Sequence, residues 1–122
     1  MNLKQHKTLT EEKWAQFPFY KQLLMIANEL NRAKNWIIKG DSEEVRNCYE
    51  RAFELIDLTV SVSVRRKALR ELLRFREMLA EVYIKKQLDL KLNQKLFHVL
   101  LLLDKDAYNS LVKDHAPVAQ TG

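Results

Sequence analysis

Residues 19–60 read FYKQLLMIANELNRAKNWIIKGDSEEVRNCYERAFELIDLTV and contain two helical patterns joined by a short turn at residues 39–42. In both patterns apolar side chains recur every third or fourth position, which places them along one face of a helix. The first pattern comprises Phe19, Leu23, Ile26, Leu30, Ala33 and Ile37, and the second comprises Val45, Cys48 or Tyr49, Ala52, Leu55 or Ile56, and Thr59. The spacing therefore predicts two amphipathic helices.

The residues around the turn are those that end one helix and begin another. A glycine such as Gly40 takes the left-handed conformation that closes a helix, and Lys39 places a positive charge near the last carbonyl groups. Asp41 can cap the next helix, with Glu44 three residues later. Because a connection this short forces neighbouring helices to run antiparallel, we expect a helical hairpin.

The composition favours an all-α protein of one domain. The chain has 122 residues, of which 47% are hydrophobic, and only two glycines and two prolines. This length suits a single hydrophobic core. The one cysteine, Cys48, excludes an internal disulfide bond and fits a small buried side chain. We expect one helical domain over residues 1–122, with residues 1–9 and 113–122 flexible.

Two further helices complete the predicted fold. The third, at about residues 64–88, carries Ala68, Leu72, Phe75, Leu79 and Val82 on one face, and the fourth, at about 93–112, carries Leu96, Val99 or Leu100, Leu103, Ala107 and Leu111. Residues 88–93 alternate between apolar and polar and are interpreted as the last connection. With a short helix near Trp14, these elements predict an antiparallel four-helix bundle with a short extra N-terminal helix.

The connection between the second and third helices is ambiguous. Residues 58–64 read LTVSVSV, a β-branched pattern with a period of two that is typical of a strand. Because a lone strand is unstable, we interpret the segment as the frayed end of the second helix followed by an extended crossover. The alternative is one uninterrupted helix from residue 42 to about 88, since nothing in the segment forbids a helix.

Charge is distributed unevenly between the second and third helices. Residues 41–57 contain six acidic and two basic side chains, whereas residues 65–95 contain ten basic and four acidic ones. The basic cluster at the start of the third helix, a candidate site for an anion or a nucleic acid, comprises Arg65, Arg66, Lys67, Arg70 and Arg74. Alternatively, these side chains pair with the acidic helix or are merely solvated.

Aromatic side chains concentrate before the first long helix. Trp14, Phe17 and Tyr20 are a candidate partner-binding set, because exposed aromatic side chains commonly anchor protein contacts. The preferred interpretation is an N-terminal segment folded over one end of the bundle, since large exposed apolar patches are rare on monomers.

The sequence contains no recognisable catalytic, metal or nucleotide motif. The histidines at positions 6, 98 and 115 are too scattered to predict a ligand cluster, and residues 104–109 lack the glycine that a calcium loop requires. His98 lies in an apolar segment and is expected to be buried and hydrogen-bonded. We therefore expect a protein that is not an enzyme and that binds no cofactor or metal.

The chain also lacks sequence features of export and of membrane insertion. Residues 1–10 are polar, unlike a secretory signal. The longest apolar run, at residues 99–103, is far shorter than the roughly 20 residues that span a bilayer. We therefore expect a cytoplasmic protein with no membrane partner.

Several of these helix patterns resemble the flagellar export chaperone family FliS over about residues 19–112. The resemblance rests on Leu23-Leu24-Met25-Ile26, Ala33-Lys34, Lys39-Gly40-Asp41, Leu72-Leu73-Arg74-Phe75 and Leu100 to Leu103. Trp14, Phe17 and Phe19 replace the tyrosine-bearing lead of the family, and Val60 to Val64 replace its glycine-containing break. The resemblance implies a small four-helix bundle that holds the tail of a flagellin in a groove.

Together, these observations predict a non-enzymatic protein-interaction module, a small helical chaperone or adaptor that binds a partner helix in a groove of the bundle. The alternative is a nucleic-acid-associated helical subunit that uses the basic cluster. The sequence leaves the oligomeric state open, and a dimer is compatible with it.

Overall fold

The computed structural model describes residues 9–86 and 88–114, without the side chains of residues 112–114. The described residues form six helices and no strand. The helices are α1 (Glu11–Ala15), α2 (Phe19–Lys39), α3 (Ser42–Val62), α4 (Arg66–Lys85), α5 (Leu90–Leu101) and α6 (Lys105–Asp114). The prediction of an all-α protein is confirmed.

Helices α2 to α5 form the predicted antiparallel four-helix bundle. Helix α2 packs against α3 and α5, and α4 packs against the same two helices, so the four close into a ring around the core. The short helix α1 packs against α3, and α6 packs against α2 and α5. Of the ends predicted to be flexible, residues 1–8 and 115–122 lie outside the described residues, while Leu9 packs against the core.

The hairpin of α2 and α3 has the predicted turn. Gly40 is in the left-handed conformation, with a φ of 76°, and the backbone N–H of Asp41 donates to the carbonyl of Trp36. The carboxylate of Asp41 accepts from the backbone N–H of Glu44 at 3.1 Å and caps α3. We call this end of the bundle the Gly40 end and the opposite end, where α1 lies, the Trp14 end.

The crossover between α3 and α4 is shorter than the sequence pattern indicates. Helix α3 continues to Val62, and only residues 63–65 connect it to α4. The alternative of one uninterrupted helix is therefore wrong. Val60 and Val62 are half-buried against the core, so tertiary packing overrides the β-propensity of this segment. Helix α4, at Arg66–Lys85, is also shorter than the predicted range of about residues 64–88.

The predicted fourth helix is in fact two helices. Helix α5 begins at Leu90, within the segment interpreted as the last connection, and ends at Leu101. Asp89 caps α5 through the backbone N–H of Leu92 at 3.0 Å. Asp104 caps α6 by accepting from the N–H groups of residues 106 and 107. Two aspartates that cap helix starts thus determine boundaries that apolar periodicity alone did not reveal.

Two sets of paired polar groups link the long helices in the core. The hydroxyl of Tyr49 donates to Asn93 at 2.8 Å, and the Asn93 amide donates to the Leu30 carbonyl at 3.0 Å, which ties α3, α5 and α2 together. The buried carboxylate of Glu29 accepts from Arg51 at 2.7 Å. Among the described residues, every buried side-chain nitrogen or oxygen has a hydrogen-bond partner, as a stable interior requires.

The single cysteine lies beside this second set and is buried, as predicted. Arg51 donates to the Cys48 sulfur at 3.2 Å. Burial raises the pKa of the Cys48 thiol, so the side chain behaves as a small core residue and not as a reactive nucleophile.

Helix α1 is fastened to the Trp14 end by side-chain hydrogen bonds. The indole N–H of Trp14 donates to the Thr59 hydroxyl at 3.0 Å, and both side chains are fully buried. The Gln22 amide donates to the carbonyls of Trp14 and Phe17 at 3.0 and 3.1 Å. The interpretation of an N-terminal segment folded over one end of the bundle is confirmed.

Candidate functional site

The described part of the chain holds no group of three or more His, Cys, Asp or Glu side chains that could bind a metal ion. The prediction that His98 is buried is wrong, since this side chain is exposed on α5. Leu96, Leu100 and Leu101 occupy the core-facing side of that helix. His98 instead lies on the outer side, where its ring packs edge-to-face with the ring of Tyr108 at a centroid distance of 6.1 Å.

The three aromatic residues predicted to bind a partner do not form one exposed surface. Trp14 is fully buried in the core, so it is not available as an anchor in this fold. Tyr20 is half-buried against the core, and Phe17 is 37% exposed. Phe17 is therefore the most exposed residue of the set.

The five members of the basic cluster are all exposed at the start of α4. None of them forms an ion pair with a described residue. The acidic helix α3 contacts a different basic side chain, because Asp57 accepts from Arg76 at 2.8 Å. The alternative of internal pairing with the acidic helix therefore does not hold for the cluster among the described residues.

A groove with a volume of about 550 Å³ lies between α3 and α4 at the Gly40 end. Its floor is apolar and consists of the buried side chains Val45, Tyr49 and Val82. Ile84 and Leu88, which are 73% and 39% exposed, also line it. We call this the α3–α4 groove.

The chain reversal after α4 shapes the rim of the groove. Helix α4 ends at Lys85, and Lys86 adopts a left-handed conformation with a φ of 53°. This conformation is unfavourable for a residue with a side chain, by about 1–2 kcal/mol. The reversal leads to the cap of α5 and brings Lys86 and Leu88 to the same hollow as Ile84.

One wall of the groove is held by a polar network. The Arg46 guanidinium donates to Glu50 and to the Tyr83 hydroxyl, both at 3.1 Å, and the Tyr83 hydroxyl donates to Glu50 at 2.8 Å. The hydrogen bonds to Tyr83 and then to Glu50 raise the pKa of Arg46, so the guanidinium stays charged. The network joins α3 to α4 at this wall of the groove.

Sequence patterns did not identify this groove. Tyr83 and Ile84 flank the apolar stripe of the third helix and widen it beyond what one packed face needs, which was the available signal. The contribution of Leu88 could not be read from the sequence, because it depends on the left-handed turn at Lys86, a residue that rarely takes this conformation.

Fold and surface together define the class: an all-α helical bundle with an apolar groove at one end and, near the other, a basic cluster that forms no ion pair with a described residue. Compared with protein-family models, with curated proteins and with solved structures, the chain gives no match. The resemblance to the FliS family therefore stays a prediction. In the described ranges, no helix combines the length and the apolar character needed to cross a membrane.

Proposed function

We propose that this protein is a non-enzymatic interaction module, a helical chaperone or adaptor that binds a helical segment of another protein in the α3–α4 groove. The observation that carries the proposal is the 73% exposure of Ile84 beside a groove with a buried apolar floor. An exposed apolar side chain at the edge of an apolar hollow is the usual sign of a surface that is covered by a partner.

The dimensions of the groove specify how much of a partner it holds. Its α3 wall runs from Ser42 to Tyr49, which corresponds to about 10 Å at 1.5 Å per residue. This length accommodates about two turns of a helix. The matching partner segment is amphipathic, with apolar side chains at positions i, i+3 or i+4, and i+7 that fill the floor.

Charge at the rim adds a second requirement for the partner. Lys86 and Glu43 both line the groove and are exposed, whereas Arg46 is already engaged by Glu50 and Tyr83. A partner that flanks its apolar positions with an acidic side chain opposite Lys86 and a basic one opposite Glu43 therefore complements this rim. A rim contact of this kind increases the association rate and the selectivity more than the affinity.

The proposal is tested by selecting helical peptides that bind the purified protein from a display library, followed by affinity measurements using fluorescence polarisation. We expect the selected peptides to be amphipathic, and the variant Ile84→Glu to bind them at least tenfold more weakly, because burying an Ile side chain is worth about 1.5–3 kcal/mol. The matched control is Ile38→Glu, since Ile38 is 64% exposed on α2 and does not line the groove.

Three outcomes would contradict the proposal. The first is a selection that enriches no amphipathic sequence, and the second is an equal loss of affinity in the Ile38→Glu variant. In the third, the wild-type chain sediments as a dimer that Ile84→Glu converts to a monomer, so that a second copy of the chain, not a different partner, occupies the groove.

A further inference from the structure

A second hollow, of about 210 Å³, lies at the Trp14 end between the link from α1 to α2 and the crossover from α3 to α4. The first segment contributes Phe17 and Phe19, and the second contributes Val62, Val64 and Arg65. Two features that are distant in the sequence, the accessible aromatic ring and the first residue of the basic cluster, therefore line the same hollow. No sequence pattern indicated this juxtaposition.

The ring of Phe17 is held in place and is accessible. It packs edge-on with Trp14 at a centroid distance of 5.9 Å, and its backbone carbonyl accepts from the Gln22 amide at 3.1 Å. More than a third of the residue nevertheless remains exposed, at 37%. A fixed, partly exposed ring in a hollow that Arg65 also lines is an arrangement on which a planar aromatic ligand stacks with little loss of conformational freedom.

The positive charge extends from this hollow along the side of the bundle. Arg66, Arg70 and Arg74 recur every four residues and therefore share one strip of α4, about 12 Å long from first to last. The first turn of α4 has no acidic residue and no side-chain cap, so its free N–H groups add to the positive potential. No ion pair joins a member of the basic cluster to a described residue.

We propose that this surface binds single-stranded nucleic acid, with a base stacked against Phe17 and the phosphates following Arg65, Arg66, Arg70 and Arg74. Stacking on an aromatic ring combined with a basic track is how proteins bind single strands without base-specific contacts. The hollow is too small to admit a duplex, whose bases are in any case already stacked on each other. An anionic membrane is a poorer fit, because the basic strip runs up the side of the bundle while Val64, 95% exposed, lies at its end.

The test uses a fluorescein-labelled oligo(dT) of about 15 nucleotides, a matched duplex, and vesicles with and without anionic lipid. We expect the single strand to bind at about 50 mM salt and to weaken steeply towards about 200 mM. Arg66→Glu with Arg70→Glu should lower the affinity at least tenfold and reduce the salt dependence. Phe17→Leu should also lower it about tenfold, since stacking of one base is worth about 1–3 kcal/mol, and Phe17→Tyr should retain it.

The matched control is Lys91→Glu with Lys95→Glu, which changes the net charge equally and has the same four-residue spacing on an exposed part of α5. Retained oligo(dT) binding in this control, together with the losses above, supports the proposal. The proposal is overturned if the control loses as much affinity, if the duplex binds as tightly as the single strand, or if Phe17→Leu has no effect. Binding to anionic vesicles without binding to oligo(dT) would assign the surface to a membrane instead.

Discussion

Tyr49 is a buried tyrosine whose pKa lies well above its ordinary value. Burial raises its pKa from the ordinary value of 10.0 to about 12, with smaller contributions from Cys48 and Asp89. The neutral hydroxyl is the form that donates to Asn93. Folding therefore requires a protonated Tyr49, because an ionised phenolate in the core would lose both its solvation and this hydrogen bond.

This requirement predicts a loss of stability at alkaline pH. Since the folded-state pKa lies above the unfolded value, the unfolded chain releases the proton first, and stability is intact below about pH 10. Between that pH and the folded-state pKa of about 12, the free energy of unfolding decreases by up to about 1.4 kcal/mol per pH unit, and the decrease levels off above it. We expect Tyr49→Phe to cost about 1 kcal/mol at neutral pH and to flatten this decrease.

Urea denaturation from about pH 8 to about pH 11 measures the effect. Tyr20→Phe is the control, because Tyr20 is half-buried and does not hydrogen-bond to Asn93. If Tyr49→Phe loses stability as steeply as the wild-type protein over this range, Tyr49 is not the group responsible.

At the same scale, single residues show what the sequence could and could not predict. The cap at Asp41, the left-handed Gly40 and the buried Cys48 follow from local rules that depend on neighbours within a few positions. The exposure of His98 does not, because it depends on which helix lies opposite it in the folded chain.

Among the elements, α1 depends on tertiary contacts more than any other helix in the described chain. It has five residues, too few for a helix that is stable alone. The hydroxyl of Thr59 holds it by accepting from Trp14 while donating to the Leu55 carbonyl at 2.7 Å. Because Phe17 follows α1, this attachment also positions one wall of the hollow at the Trp14 end.

Replacing Thr59 tests this attachment. Thr59→Val keeps the shape of the side chain but leaves the buried Trp14 indole N–H without its acceptor, which should cost about 1–3 kcal/mol of folding free energy. Ser61→Ala is the matched control, because Ser61 donates a comparable bond to the Leu58 carbonyl at 2.8 Å but is exposed and holds no other helix. We expect the control to change stability by less than about 0.5 kcal/mol.

A double-mutant cycle separates the two possible causes of that loss. In a Trp14→Phe background the indole N–H is absent, so Thr59→Val should become much less costly. Equal costs of Thr59→Val in both backgrounds, measured by chemical denaturation, would show that the hydrogen bond does not hold α1 in place.

Element boundaries reveal the limits of periodicity. The hairpin of α2 and α3 was predictable, because its apolar spacing, its turn glycine and its cap all agree. The separation of α5 from α6 was not, since the apolar residues around position 102 continue in helical register across the break. Asp104 decides that boundary through its own hydrogen bonds, which compete with a continuous helix.

At the scale of the whole molecule, the hollows of the two proposed binding surfaces lie at opposite ends. Helices α3 and α4 are antiparallel, so the groove is formed by the start of α3 and the end of α4, whereas the hollow with Phe17 lies where α3 ends and α4 begins. The basic cluster extends from that hollow along α4 to Arg74, about 12 Å along the helix from Val82 at the groove. This separation exceeds the Debye length of about 8 Å at physiological salt, so exposed charges at the two surfaces interact only weakly.

This separation predicts that a helical peptide and a single-stranded oligonucleotide bind without competing. We expect the affinity of a selected peptide for the α3–α4 groove to change less than about twofold when oligo(dT) is saturating, because the two ligands contact different residues and charge interactions are largely screened over this separation. Ile84→Glu should weaken binding of the peptide only, and Arg66→Glu with Arg70→Glu should weaken binding of the oligonucleotide only.

Fluorescence polarisation with two differently labelled ligands measures both affinities in one sample. A tenfold mutual weakening, about 1.4 kcal/mol of coupling, would show that the two ligands share a surface or that α4 transmits a change from one end of the bundle to the other.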